Sequence, residues 1–179
     1  MNRTLSELSE YLSETRSALF RSVADVSPEM ASFRPEPEAW SVAEIMDHLC
    51  RVERGTNILL KRFVEQARTA GLNQEDATAS VLSSLDSFQV VEAPVRAKAP
   101  DRVRPAPHVP VAESVERLEQ SRHELLRVLD EAEGLALSQV SFDHVFLGKL
   151  NGYQWILVLG QHEARHTRQI QRTKGQWSA

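Results

Sequence analysis

One cysteine, Cys50, stands among 179 residues, so the chain cannot form an intrachain disulfide or a thiolate zinc cluster. A reducing cytoplasm suits it. No apolar run approaches the roughly 20 residues that cross a bilayer. The opening MNRTLSELSEYL also lacks the uninterrupted apolar stretch of a signal peptide. The expectation is a cytosolic protein with no membrane partner. Clustered positive charge is missing too. The formal net charge is -4 with acids and bases interspersed, and the locally basic stretch 96–104 is broken by proline. That pattern does not fit a nucleic-acid partner. Internal repeats and strand-like alternation are absent. A chain of this length fits one domain, residues 1–179, whose core folds without a structural metal, leaving any metal free to be functional.

What the sequence does have is helical periodicity. Leu5, Leu8, Leu12, Leu19, Val23 and Val26 recur at three- and four-residue steps, and Thr4 with Glu7 reads as a capping box, which predicts a helix over about 4–27. A second helix, about 41–70, opens with Ser41 as N-cap and Glu44 three residues on. Trp40 and Ile45 are placed as a hydrophobic staple, and Val42, Ile45, Leu49, Val52, Leu59 and Phe63 form the buried stripe. Residues 71–110 break the pattern, with five prolines in their second half and room for a short helix within 73–85. A loop that long needs a reason. A bundle in which consecutive helices run parallel supplies one, because the connection must travel a full helix length. It could also overhang a site. Further helices are predicted over about 111–133 and 150–173, with an irregular segment at 135–149. The fold class is all-α, a four-helix bundle with a long crossover between its second and third helices.

The chemistry concentrates in HEARH. His162 and His166 stand four apart on the apolar stripe of the last helix, where both rings can serve one ion. The motif reads as HExxH, the zinc-protease pattern, but only 13 residues follow and none is His, Asp or Glu, so a further protein ligand must lie upstream. Of His48, His108, His123 and His144, only His48 sits at the inner edge of a well-capped helix. Glu163 points about 100° away from His162 and reads as a surface charge, a partner of a ligand or a general base. Gln169 lies where an amide orients a ligand. Glu44 is explained by its cap, and Cys50 reads as a small buried residue. Arg122 interrupts an apolar stripe and either snorkels or meets an anionic substrate. His144 precedes the last helix, within reach of the mouth of a site.

WSVAEIMDHL, then a proline-rich middle, then WILVLGQHEARHTRQI, resembles the DinB-like (DinB/YfiT) superfamily of metal-binding bundles over nearly the whole chain. The resemblance implies an up-down-down-up bundle, often homodimeric, in which His48, His162 and His166 bind one divalent metal ion. Zn, Ni and Fe are the leading candidates, since an all-histidine site does not discriminate among them. Three neutral imidazoles leave the ion's charge intact and its coordination open, an arrangement that activates water or binds a thiolate or oxygen. The resemblance points to a transferase or isomerase acting on a small-molecule substrate with a low-molecular-weight thiol such as bacillithiol or mycothiol. A non-catalytic metal-binding or stress-related interaction protein, and a hydrolase with Glu163 as base, remain as other readings. The weaker catalytic candidates are Glu163, His144 and Arg122.

Overall fold

The computed structural model describes residues 3–73, 80–83, 90 and 98–177. Four long helices form the bundle: α1 (Arg3–Val23), α3 (Val42–Thr69), α4 (Val111–Glu131) and α5 (Gly152–Trp177), with a single-turn helix α2 (Pro28–Ser32) between the first two. The N-terminal helix ends at Val23 rather than near residue 27, because Ser27 caps α2 and Pro28 occupies its first turn. Thr4 is buried inside α1, not at its cap. Glu7 accepts instead from Ser80 Oγ at 2.7 Å and from the Val81 amide at 3.1 Å, tying α1 to the crossover.

The start of α3 matches expectation. The Ser41 hydroxyl accepts from the Glu44 amide at 3.3 Å, the Glu44 carboxylate accepts from the Ser41 amide at 2.9 Å, and Trp40 packs on the cluster that contains Ile45.

Partners along the helices define the order. Asn57 meets Ser121, Lys61 meets Glu124 and Arg68 meets Glu131, so α3 and α4 run parallel. Thr15 meets Glu163 and Ser22 meets Lys174, so α1 and α5 run parallel. Arg16 reaches the Leu118 carbonyl while Arg122 reaches that of Leu12, so α1 and α4 are antiparallel. The bundle is up-down-down-up, and the crossover after α3 exists because α4 must start at the same end. A 3-10 turn at 81–83 lies in the region expected to hold a short helix, whose remaining residues are mostly outside the described ones.

The expectation of no strands fails in one place. Within the segment expected to be irregular, β1 (Ser141–His144) and β2 (Gly148–Asn151) form an antiparallel hairpin. Two four-residue strands are too short to show a period of two. Gly148 closes the turn at φ +73°, a left-handed conformation that glycine adopts without a Cβ penalty. Phe142 packs edge-on to Phe63 at 4.9 Å, and the Trp155 indole N–H donates to the Phe142 carbonyl at 3.3 Å, fastening the hairpin over the start of α5.

Helices α1 and α5 approach closely at Gly160, where an added Cβ would lie 2.4 Å from Tyr11 Cε1. Alanine gains up to about 1 kcal/mol of helix propensity over glycine, but overpacking costs about 1–3 kcal/mol. We expect Gly160→Ala to destabilise the wild type in urea denaturation and to become neutral or stabilising when Tyr11 is replaced by leucine. Equal effects in both backgrounds would contradict the packing argument.

Candidate metal centre

His48 on α3 and His162 and His166 on α5 converge, offering ligand atoms within 4.8 Å of one another. His162 Nε2 lies 3.3 Å from His48 Nε2 and 3.2 Å from His166 Nε2. Nitrogens bound tetrahedrally at about 2.0–2.1 Å from a zinc ion sit roughly 3.3 Å apart, so the spacing fits a shared ion.

The hydrogen bonds behind the rings support the same fit. The His48 Nδ1–H donates to the Val103 carbonyl at 2.7 Å, and the His166 Nδ1–H donates to Gln169 Oε1 at 2.9 Å. Each bond places the proton on Nδ1 and leaves an Nε2 lone pair facing the centre, the arrangement seen behind metal-ligating histidines. His162 Nδ1 is buried without a hydrogen-bond partner among the described residues. Burial holds all three imidazoles below the ordinary histidine range, His166 to about 3. Deprotonated nitrogens are what a cation requires.

The crossover forms part of the enclosure. Asp101–Val103 makes a 3-10 turn above α3, and the Ala106 amide donates to Asp47 Oδ2 at 2.7 Å, so Asp47 and His48 anchor successive points of the overhanging chain. Trp40 lies against His48 with ring centroids 4.7 Å apart. The centre opens into a cleft of about 1710 Å³ that is also walled by the hairpin.

His144 lines this cleft, as its position before α5 suggested, with its ring 4.8 Å from that of Trp155. Gln169 orients His166. Cys50 is buried, its thiol donating to the Ser114 carbonyl at 3.3 Å. Burial raises that thiol to about 11, which suits a packing role. His108 and His123 are exposed and lie outside the cluster.

Two candidates are placed elsewhere. Glu163 is only 3% exposed, which corrects the reading of a surface charge, and Arg122 is buried rather than snorkelling. Both belong to a charge tetrad with one member from each bundle helix. Arg16 Nε donates to Glu163 at 2.6 Å, Arg122 Nε donates to Glu53 at 3.1 Å and Arg122 Nη2 to Glu163 at 3.3 Å; Arg16 also pairs with Glu53, and Thr15 donates to Glu163 at 2.7 Å. Neither Glu163 nor Arg122 lines the cleft. The tetrad divides the core into two apolar clusters, with Leu12, Leu60, Leu125 and Leu159 on one side and Leu19, Leu49, Leu118 and Ile170 on the other. The sequence signal was a charge at apolar-stripe spacing on each of the four helices, of which Arg122 alone stood out, and their common level was not legible.

An up-down-down-up helical bundle with three converging histidines on its second and fourth long helices defines the class. The chain belongs to the DinB superfamily, whose sequence profile matches residues 11–170. It is 25% identical over 162 residues to the uncharacterized protein YuaE of Bacillus subtilis (strain 168), covering 90% of this chain and 93% of that one. Its fold is similar to the crystal structure of TT2238, a four-helix bundle protein, at a TM-score of 0.64 and 21% identity over 94% of this chain and 99% of the other.

Proposed function

We propose that His48, His162 and His166 bind one divalent metal ion and that the protein is a metal-dependent transferase or isomerase using a low-molecular-weight thiol. The observation that carries this reading is the convergence of three imidazoles, with His162 Nε2 at 3.2–3.3 Å from the Nε2 of each of the other two and those two rings locked by Val103 and Gln169. When bound, the ion supplies a Lewis acid with open coordination that stabilises a thiolate. The chain's own residues hold the imidazoles neutral and correctly turned, while Trp40 and the 3-10 turn limit access of water from one side. No described helix is long and apolar enough to cross a membrane.

Metal analysis by mass spectrometry on tag-free protein purified without chelator tests the first half. The expected result is near one equivalent in the wild type and loss of metal in His48→Ala and His162→Ala. Cobalt-substituted protein titrated with bacillithiol or mycothiol tests the second: a thiolate-to-cobalt absorption band is expected. Metal without thiol binding would favour a non-catalytic metal-binding protein, and a wild type that takes up no metal would overturn the proposal.

A further inference from the structure

Two neighbouring side chains of α3 grip the crossover at points three residues apart. The His48 Nδ1–H donates to the Val103 carbonyl at 2.7 Å, and Asp47 Oδ2 accepts from the Ala106 amide at 2.7 Å. The chain between these points is short and stiff. Asp101–Val103 is a 3-10 turn in which the Val103 amide donates to the Pro100 carbonyl at 3.0 Å, and residues 105–107 read Pro-Ala-Pro. Proline fixes its own φ and restricts the residue before it. A segment so restricted transmits the position of Ala106 to Val103. Proline also has no N–H, so Ala106 carries the one amide donor within 105–107, and that donor goes to Asp47.

Ion pairing does not account for Asp47. The residue is 1% exposed, with Oδ2 also accepting from Arg51 Nε at 2.7 Å and Oδ1 lying 3.5 Å from Arg117 Nη1. Both arginine side chains stand largely in water, at 39% and 48% exposure, where such pairs contribute little. Neither pair calls for a carboxylate buried one residue before a candidate ligand. The contact with Ala106 does, because it seats the carbonyl that fixes the His48 tautomer and ring direction. The influence runs both ways. A cation bound at His48 Nε2 polarises the Nδ1–H and strengthens its bond to Val103, and coupling between two equilibria is reciprocal.

We propose that Asp47 is a positioning residue of the metal centre: by holding the Ala106 amide it seats Val103 on His48, so that metal binding and seating of the crossover favour each other. This rests on the metal reading above and adds to it the part of the chain that regulates the site.

Three variants separate the roles. Ala106→Pro removes the donor while leaving α3 and the ion pairs of Asp47 in place, at a position that Pro107 already biases toward the backbone proline adopts. Asp47→Ala removes the acceptor, and Asp47→Asn keeps an acceptor oxygen without the charge. Zinc affinity is measured by competition with a chromophoric chelator. Seating is measured as the rate of trypsin cleavage of the Arg102–Val103 bond, followed by mass spectrometry on chelator-treated and zinc-loaded full chain, since cleavage tracks the open population when opening is fast.

Zinc is expected to slow this cleavage several-fold in the wild type. Ala106→Pro and Asp47→Ala are expected to speed it without metal and to weaken zinc binding about tenfold or more, the range for loss of a group that orients a ligand. Asp47→Asn is expected to stay within about threefold of the wild type in zinc affinity, since a mainly electrostatic role would weaken it as much as Asp47→Ala. Equal losses in Asn and Ala, or wild-type zinc affinity in Ala106→Pro, would overturn the positioning role with the metal site intact. Unchanged cleavage of metal-free Ala106→Pro would overturn the seat itself. A wild type that binds no zinc would overturn the metal reading and the linkage together.

Discussion

Glu163→Gln is expected to destabilise the protein by about 3–5 kcal/mol, the range for breaking a buried ion pair by removing one partner. The wild-type tetrad has two guanidinium groups and two carboxylates, all from side chains no more than 9% exposed, so its charge is balanced where water cannot screen it. Removing one carboxylate leaves Arg16 and Arg122 sharing Glu53. Urea denaturation measures the loss. The double variant Glu163→Gln with Arg122→Met restores balance and is expected to recover much of the stability, giving a coupling energy of the sign and size expected for contacting groups. Were Glu163 a general base beside an ion, the substitution would leave stability unchanged and abolish activity, the reverse of what the tetrad predicts. Full apolar replacement of such a network often costs nothing in stability. Its evident consequence here is geometric, since the charged layer sets the rotation of α5 one residue from His162.

Acidifying the metal-free protein is expected to unfold it well above the carboxylate range. Burial keeps His48, His162 and His166 below their ordinary 6.5 in the folded chain, while the unfolded chain has no such restraint. Below about pH 6.5 the unfolded state therefore binds protons that the folded state refuses. Stability is full above that pH and falls on acidification until the folded rings themselves titrate, near 3 for His166. Each such histidine costs about 1.4 kcal/mol per pH unit, so three acting together cost up to about 4 kcal/mol per unit. Carboxylates such as the half-buried Glu7 and the exposed Asp25 titrate below their ordinary values and so act at lower pH than the histidines. Urea midpoints of chelator-treated protein at pH 7.5, 6.5 and 5.5 are expected to drop across the last interval, with a shallower drop in His166→Gln. A flat profile would show that the rings are not held neutral by burial. A metal ion bound only by the folded, neutral rings would raise stability throughout, so metal-loaded protein is expected to tolerate lower pH before unfolding.

Much of this molecule was legible in short-range pattern. The α3 cap was readable from Ser41 and Glu44 because a capping box is a contact over three residues. The pairing of His162 with His166 was readable because a helix brings i and i+4 together. The crossover length announced parallel neighbours because chain must cover the distance. The hairpin was missed because four-residue strands carry too few alternations. The Thr4–Glu7 box was misread because Glu7 finds its partners at Ser80 and Val81, far along the chain.

Glu163 and Arg122 divide the two kinds of information most clearly. The sequence by itself determined that α5 has an apolar stripe carrying two histidines and that Arg122 is out of place on its own helix. Only the tertiary structure decided that Arg122, Arg16, Glu53 and Glu163 meet at one level, while His48 and Val103 complete the opposite side of the centre. Periodicity reports which face of a helix turns inward, because burial repeats with the helical turn. It does not report the relative height of helices 40 to 150 residues apart, and it is that height which brings a charge to its counter-charge and a third imidazole to the other two.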